Sequence, residues 1–191
     1  MGVRMGRLIF AGLVLLSGAI PVSSQDQAAC PARYSEIPTL RRFRLGMTEQ
    51  QFREAYPTLH LSSSTESGYN RVEFHPNQLA KIDKSLFENI DRIDVAFLDS
   101  KIVQISVTYV KSFRMENFQA LTSAVSRGLN LPEKWHFAGE NFNWLACADF
   151  SARLMVVKNA YFLMIESTSF GPDLTKRYKE LEEKKKMTSN P

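Results

Sequence analysis

IDVAFLDSKIVQISVTY, residues 93–109, decides the fold class of this 191-residue chain. Its first arm alternates apolar Ile93, Val95 and Phe97 with Asp94 and Ala96. After a turn at residues 99–101, a second arm alternates in the same way, and its apolar members are Val103, Ile105, Val107 and Tyr109. An apolar residue at every second position places one face of a strand on a core and the other toward water. The stretch therefore predicts an antiparallel β-hairpin.

Three helices are predicted around this hairpin. Thr48 is a good N-cap and Gln51 can complete a capping box, so a helix should begin at Glu49 and end near Tyr56, before Pro57. A second helix over 115–129 is indicated by apolar residues spaced three and four apart. A third should begin at residues 171–173.

Further strands complete the fold class. They are predicted at 69–74, 144–150, 153–157 and 161–166, and the last three carry apolar residues on both faces, which is typical of the middle of a sheet. The pattern predicts an α+β fold with an antiparallel sheet and helices packed largely on one face. The first helix with its hairpin loosely echoes the second helix with the late strands, which leaves a duplicated α-β module possible.

The N-terminus is typical of an export signal. Arg4 and Arg7 precede an apolar run from Leu8 to Ile20, and small residues follow before Gln25. The run is shorter than the roughly 20 residues that span a bilayer, so cleavage before Gln25 is favoured over a retained membrane anchor. The expected organisation is a signal peptide at 1–24, an irregular segment at 25–42, a single α+β domain at 43–187 and a frayed tail at 188–191.

The charge balance argues against two classes of partner. The chain has 24 basic and 20 acidic residues, and the leader would remove two arginines and no acid. The remaining near-neutral chain gives no case for nucleic acid or an anionic membrane surface as a general partner. We expect a secreted or periplasmic protein with no stable membrane span after cleavage.

The chain has two cysteines, Cys30 and Cys147. In an oxidising compartment such a pair is most simply a disulfide. Two other interpretations stay open. Cys30 could be a lipid-anchor cysteine, although Gln27 stands where a lipoprotein signal has an aliphatic residue. Cys147 could be a catalytic thiol, although it lies in an apolar run with no histidine nearby in the sequence, away from the cationic setting that activates a thiolate.

One segment resembles a known module. The run Leu45-Gly46-Met47-Thr48, with a short helix ending at Tyr56-Pro57 and a strand through 93–102, is similar to the small outer-membrane-assembly lipoproteins and the β-lactamase-inhibitor-like fold. The resemblance covers about residues 43–110. It implies a non-enzymatic module that presents a sheet face or loops to other proteins. The chain departs from the lipoproteins because Gln25 stands where they carry the anchoring cysteine.

The candidate site is an aromatic loop. Trp135, Phe137 and Phe142 are the candidate protein-binding residues, because aromatic anchors dominate interface energetics. The alternative is that these rings fold back over the sheet as ordinary core. A basic cluster at 176–177 and 184–186 is interleaved with glutamates, so a solvated helix face is favoured there over binding to anionic lipid.

No catalytic, metal or cofactor set is predicted. His60, His75 and His136 lack ligand spacing to one another or to a cysteine, and neither a nucleophile elbow nor a phosphate-binding glycine loop is present. We therefore expect an exported binding module without catalysis, whose partner is another envelope or extracellular protein. The alternatives are a small exported hydrolase or metal-binding effector that uses a histidine, and a purely structural envelope component.

Overall fold

The computed structural model describes residues 30–189, except 38, 41, 62–64 and 80–82, and the predicted signal peptide therefore lies outside the described residues. The described chain forms three α-helices and one seven-stranded antiparallel sheet. The helices are α1 (Glu49–Ala55), α2 (Phe118–Gly128) and α3 (Phe170–Ser189). The strands are β1 (Tyr69–Phe74), β2 (Ile90–Leu98), β3 (Lys101–Tyr109), β4 (His136–Phe137), β5 (Phe142–Ala146), β6 (Phe150–Val157) and β7 (Ala160–Ser167). This is the predicted α+β fold.

The start of α1 is fixed by the predicted capping box. The Thr48 hydroxyl accepts a hydrogen bond from the Gln51 amide, and the Gln51 side chain accepts one from the Thr48 amide. The approach to the helix is a turn at Gly46, whose φ of +78° favours glycine. The Gly46 amide donates to the Ile102 carbonyl at 2.7 Å, which ties the turn to β3. Before this turn, Phe43 makes an isolated antiparallel β-bridge with Leu40.

The predicted hairpin is present as β2 and β3, joined by Asp99 and Ser100, both with positive φ. Its alternation is broken by a β-bulge: Ala96 pairs with Gln104, but Phe97 pairs with Ile102. The bulge moves Ile102 into the buried position that the sequence pattern gave to Val103. The prediction that the second side of β2 faces water is also partly wrong, because Asp94, Ala96 and Leu98 on that side are buried.

The sheet order is β1-β2-β3-β7-β6-β5-β4, so β7 is the central strand. Each half of the chain supplies a helix followed by a meander: α1 with β1–β3, and α2 with β4–β7. The two meanders meet where β3 pairs antiparallel with β7. This arrangement is what a duplicated α-β module would give.

Buried residues form two clusters on opposite faces of the sheet. The larger one joins α1 and α2 to the sheet through residues such as Phe52, Leu121 and Val95. The smaller one places Phe170 and Leu174 of α3 against the opposite side of β2, where its members are Ala96 and Leu98. Helices are therefore not confined to one face of the sheet. The chain passes from the central strand β7 into α3, and α3 packs on the side opposite α1 and α2.

Three element boundaries in the structure differ from those predicted from the sequence. The second helix begins at Phe118 rather than at 115, because the Asn117 side chain accepts from the Ala120 amide and caps it. The strand predicted at 144–150 ends at Ala146, and a turn separates it from β6, which begins at Phe150. The third helix continues to Ser189, into the segment expected to be frayed.

The N-terminal segment is tied to the turn before β6. Cys30 and Cys147 form a disulfide across 117 residues, with their α-carbons 4.4 Å apart. Two hydrogen bonds next to the disulfide join the same two segments: the Ala148 amide donates to the Ala32 carbonyl at 3.2 Å, and the Tyr34 amide donates to Asp149 Oδ1 at 2.9 Å. The disulfide leaves the described chain without a free cysteine, so neither sulfur is available as a thiol.

An aromatic cluster anchors α1 to the sheet. Phe43, which is fully buried, stacks on Tyr56 with 4.8 Å between ring centroids, and Phe52 meets Phe97 edge to face at 5.3 Å. Burial raises the pKa of Tyr56 to about 12, although the positive charge of Arg42 opposes this. The ring is 3% exposed, so its phenolate would lie in an apolar setting.

Raising the pH above 10 is expected to destabilise the fold through Tyr56. Because its pKa is about 12 in the folded chain and near 10 in the unfolded chain, the unfolded state loses this proton first. The stabilising proton is fully bound below pH 10, and its contribution falls between pH 10 and 12 by up to about 1.4 kcal/mol per pH unit. In urea unfolding at pH 8 to 12, the free energy of unfolding should fall less steeply with pH in Tyr56→Phe than in the wild type. The matched control is Tyr178→Phe, which changes a 49% exposed ring and should leave the wild-type curve unaltered.

Candidate functional site

The candidate site lies on what we call the outer face, the side of the sheet opposite α1 and α2. Strand register places two rows of side chains there across β5, β6 and β7. One row pairs Phe142 with Met155 and Met155 with Phe162. The other pairs Trp144 with Arg153 and Arg153 with Met164. We call the large apolar members the apolar patch: Phe142, Trp144, Met155, Phe162 and Met164.

The apolar patch belongs to neither buried cluster of the described chain. Its members are partly exposed, whereas their neighbours along each strand, such as Asn143, Leu154 and Leu163, are buried on the helix-covered side. The sheet is therefore apolar on both sides in β5–β7, and its outer side presents aromatic and methionine side chains.

Polar residues frame the patch toward β3. Gln104 donates from its side-chain amide to Glu166 and also approaches the Met164 sulfur at 3.6 Å. Arg153 Nη2 lies 3.4 Å from Glu166 Oε1. Glu166 therefore contacts both Gln104 and Arg153, and Arg153 stands between its register partners Trp144 and Met164 in the second row.

The far end of the outer face carries an ion-pair network on β1 and β2. Asp94, whose side chain is 8% exposed, lies between Arg71 and Arg92. Its hydrogen bond raises the pKa of the Arg71 guanidinium above its usual range, so this pair stays charged. Arg92 Nε lies 3.2 Å from Asp94 Oδ2 without hydrogen-bond geometry, which makes that contact an ion pair. Glu73 lies 3.7 Å from both arginines.

The structure separates the three aromatic residues proposed from the sequence. Trp135 is 4% exposed and packs in the main core, and its indole N–H donates to Ser126 Oγ at 2.7 Å. Phe137 is 60% exposed on the edge strand β4, but its register partner is Asn143 of the helix-covered side. Phe142 belongs to the apolar patch. Of the proposed loop, Phe142 is therefore the member placed with other apolar side chains on the outer face.

The remaining members of the patch were not identified as site residues from the sequence. Their signal is visible in retrospect as the pairs Phe142/Trp144, Arg153/Met155 and Phe162/Met164, each at alternate positions of a strand. Alternation shows that such pairs share a face, but it does not show whether a helix covers that face. The apolar character was therefore interpreted as central sheet.

The histidines lie apart. His60 is exposed, His75 bonds the Asp91 carbonyl through Nδ1 at 2.9 Å, and His136 stacks on Trp144 with ring centroids 4.3 Å apart. Within the described part of the chain, no three histidine, cysteine, aspartate or glutamate residues are grouped so that they could hold a metal ion.

The basic residues of α3 are largely paired. Arg177 bonds Asp99, and Lys176 lies 4.0 Å from Glu180. Tyr178 of the same helix is 49% exposed. Among residues 30–189, apart from the short gaps given above, no helix combines the length and the apolar character needed to cross a membrane.

Comparison with known proteins adds little. No protein-family model matches this chain, and a search of curated proteins returns no match. Among solved structures, a cysteine-rich secretory protein from Staphylococcus aureus is similar over 66% of this chain, with 9% identity and a TM-score of 0.37. The match spans 44% of that protein's length.

Proposed function

We propose that this chain is an exported, non-catalytic binding module that docks a second protein on its outer face. The observation that carries the proposal is the apolar patch: aromatic and methionine side chains from three adjacent strands, outside both buried clusters. Large apolar patches left at a protein surface are typical of interaction sites.

The composition of the patch fits protein recognition. Tryptophan, phenylalanine, methionine and arginine are enriched at protein interfaces, and the largest binding contributions come from tryptophan, tyrosine and arginine. Trp144, braced by His136, and Arg153, held by Glu166, supply two such anchors in preset positions. Preset side chains lose little conformational entropy on binding. The ion-pair network around Asp94 would supply a polar rim on one side.

Two further considerations support the proposal. The resemblance of residues 43–110 to non-enzymatic modules that present a sheet face or loops to other proteins fits a binding role, although the apolar patch itself lies on β5–β7, outside that segment. The disulfide between Cys30 and Cys147 fits an oxidising compartment and, with the expected signal at 1–24, supports export to the periplasm or the medium.

A photo-crosslinking amino acid at Met164 tests the proposal. The variant is exposed to an envelope or extracellular fraction, and the same crosslinker at Gln119, exposed on α2, is the positional control. We expect a discrete protein adduct from position 164 and none from position 119. The captured partner is then purified, and its affinity is measured by calorimetry.

Removal of two of the three aromatic rings of the patch should weaken that complex strongly. Trp144→Ala combined with Phe162→Ala is expected to cost at least about 2 kcal/mol of binding, or roughly thirtyfold in affinity. Phe137→Ala, which removes an exposed ring outside the patch, is the matched control and should bind like the wild type. If Phe137→Ala lost binding and the double variant kept it, the loop rather than the outer face would be the site.

A further inference from the structure

A cavity of about 560 Å³ lies on the other side of the sheet, between the two helix-meander halves. Its floor includes Val107 of β3 and Leu163 of β7, which are buried on the central ladder. One wall is α2, and the opposite wall includes Leu86, in the segment before β2. The volume is within the range of about 300–1,000 Å³ typical of small-ligand pockets. It is separated from the apolar patch by the thickness of the sheet.

The α2 wall combines two small residues with the larger apolar Leu121 and Val125. Ala124 and Gly128 are one helical turn apart, and both line the cavity. Gly128 has no positive φ, and a Cβ added there would meet no atom within 4 Å. Gly128 is the exposed last residue of α2, and the open space in front of it is part of the cavity.

The rim of the cavity carries a cation without a bonded partner. Arg42 is exposed and lines the opening, and among the described residues it makes no hydrogen bond or ion pair. Its φ of +70°, unfavourable for a residue with a Cβ, occurs in a tight turn in which Leu40 and Phe43 exchange backbone hydrogen bonds. The positive charge of Arg42 acts to lower the pKa values of Asp83 and Tyr56, but it forms no bond with either side chain. The other charged residue of the rim is Glu88.

We infer that this cavity binds a single-chain amphiphile with a carboxylate head, its apolar tail between α2 and the sheet and its carboxylate on Arg42. The apolar floor and walls match an alkyl chain. A guanidinium matches a carboxylate through two parallel hydrogen bonds, which makes Arg42 the complementary group at the opening. The site is independent of the proposed protein-binding function, because it lies on the opposite side of the sheet.

Calorimetric titration of the purified protein with dodecanoate, below its micellar concentration, tests the inference. We expect saturable binding with one site per chain. Gly128→Leu places a side chain in the open volume and should weaken dodecanoate binding at least tenfold without lowering the thermal midpoint. Arg127→Leu, an exposed change at the adjacent helical position that does not line the cavity, is the matched control and should bind like the wild type.

The head-group assignment is tested separately. Arg42→Ala should weaken dodecanoate binding about fivefold, which is the strength of an exposed charge pair, whereas Arg44→Ala should not change it. Dodecanol should bind about fivefold more weakly than dodecanoate and be insensitive to Arg42→Ala. The inference is overturned if dodecanoate gives no saturable binding, if Gly128→Leu binds it like the wild type, or if dodecanol binds as tightly as dodecanoate.

Discussion

Replacement of Cys30 and Cys147 together by alanine is expected to lower the free energy of unfolding by about 4 kcal/mol. The disulfide closes 117 residues, and in the chain-entropy model a loop of this size restricts the unfolded state by about 5 kcal/mol. The hydrogen bonds from Ala148 to Ala32 and from Tyr34 to Asp149 do not involve the sulfur atoms, so they can still form in the double variant. We therefore expect the variant to keep the native fold.

Urea denaturation of oxidised wild type and of the double variant measures this loss. Wild type treated with dithiothreitol should match the variant, and the reductant should not affect the variant itself. A loss below 1 kcal/mol, or two free thiols in unreduced wild type, would contradict the stabilising disulfide.

Trp135→Ala is expected to lower the free energy of unfolding by a similar amount, about 4 kcal/mol, which is within the range for deletion of a buried tryptophan. The ring is 4% exposed, and its N–H donates to Ser126 Oγ, which in turn donates to the Pro132 carbonyl at 3.1 Å. The substitution leaves a cavity beside α2 and removes a donor from a fully buried hydroxyl.

Two further variants separate these contributions. Trp135→Phe keeps most of the apolar volume and loses the donor, so its loss should be intermediate, about 2 kcal/mol. Phe137→Ala removes an exposed ring two residues along the chain and should change stability by less than about 0.5 kcal/mol. Equal losses in Trp135→Ala and Phe137→Ala would contradict the burial of Trp135.

Local signals in the sequence predicted the elements that depend on neighbouring residues. The capping box at Thr48, the pairing of β2 with β3 in a hairpin and the turn at Asp99-Ser100 are determined within a few positions and are present in the structure. The bulge opposite Phe97 was not predictable in this way, because it depends on how two strands align. The side of the sheet on which α3 docks was not predicted, because a weakly amphipathic helix carries little information about which face it covers.

The candidate site was harder to predict than the fold. Trp135 and Phe142 look equivalent in the sequence, since both are aromatic residues that flank the same loop. Their difference comes from strand register: Trp135 turns toward Ser126 of α2, whereas Phe142 pairs with Met155 on the outer face. The cavity could not be predicted from the sequence either, because its walls come from segments far apart in the chain.

The ladder between β3 and β7 also bears on how the chain folds. Gln104 and Glu166, paired on it, are 62 residues apart, whereas the strands within each meander are joined by tight turns such as Asp99-Ser100 and Lys158-Asn159. Contacts of large sequence separation carry a high loop-closure cost and slow the search for the native state. We therefore expect each meander to condense early and the joining of the two to limit the folding rate.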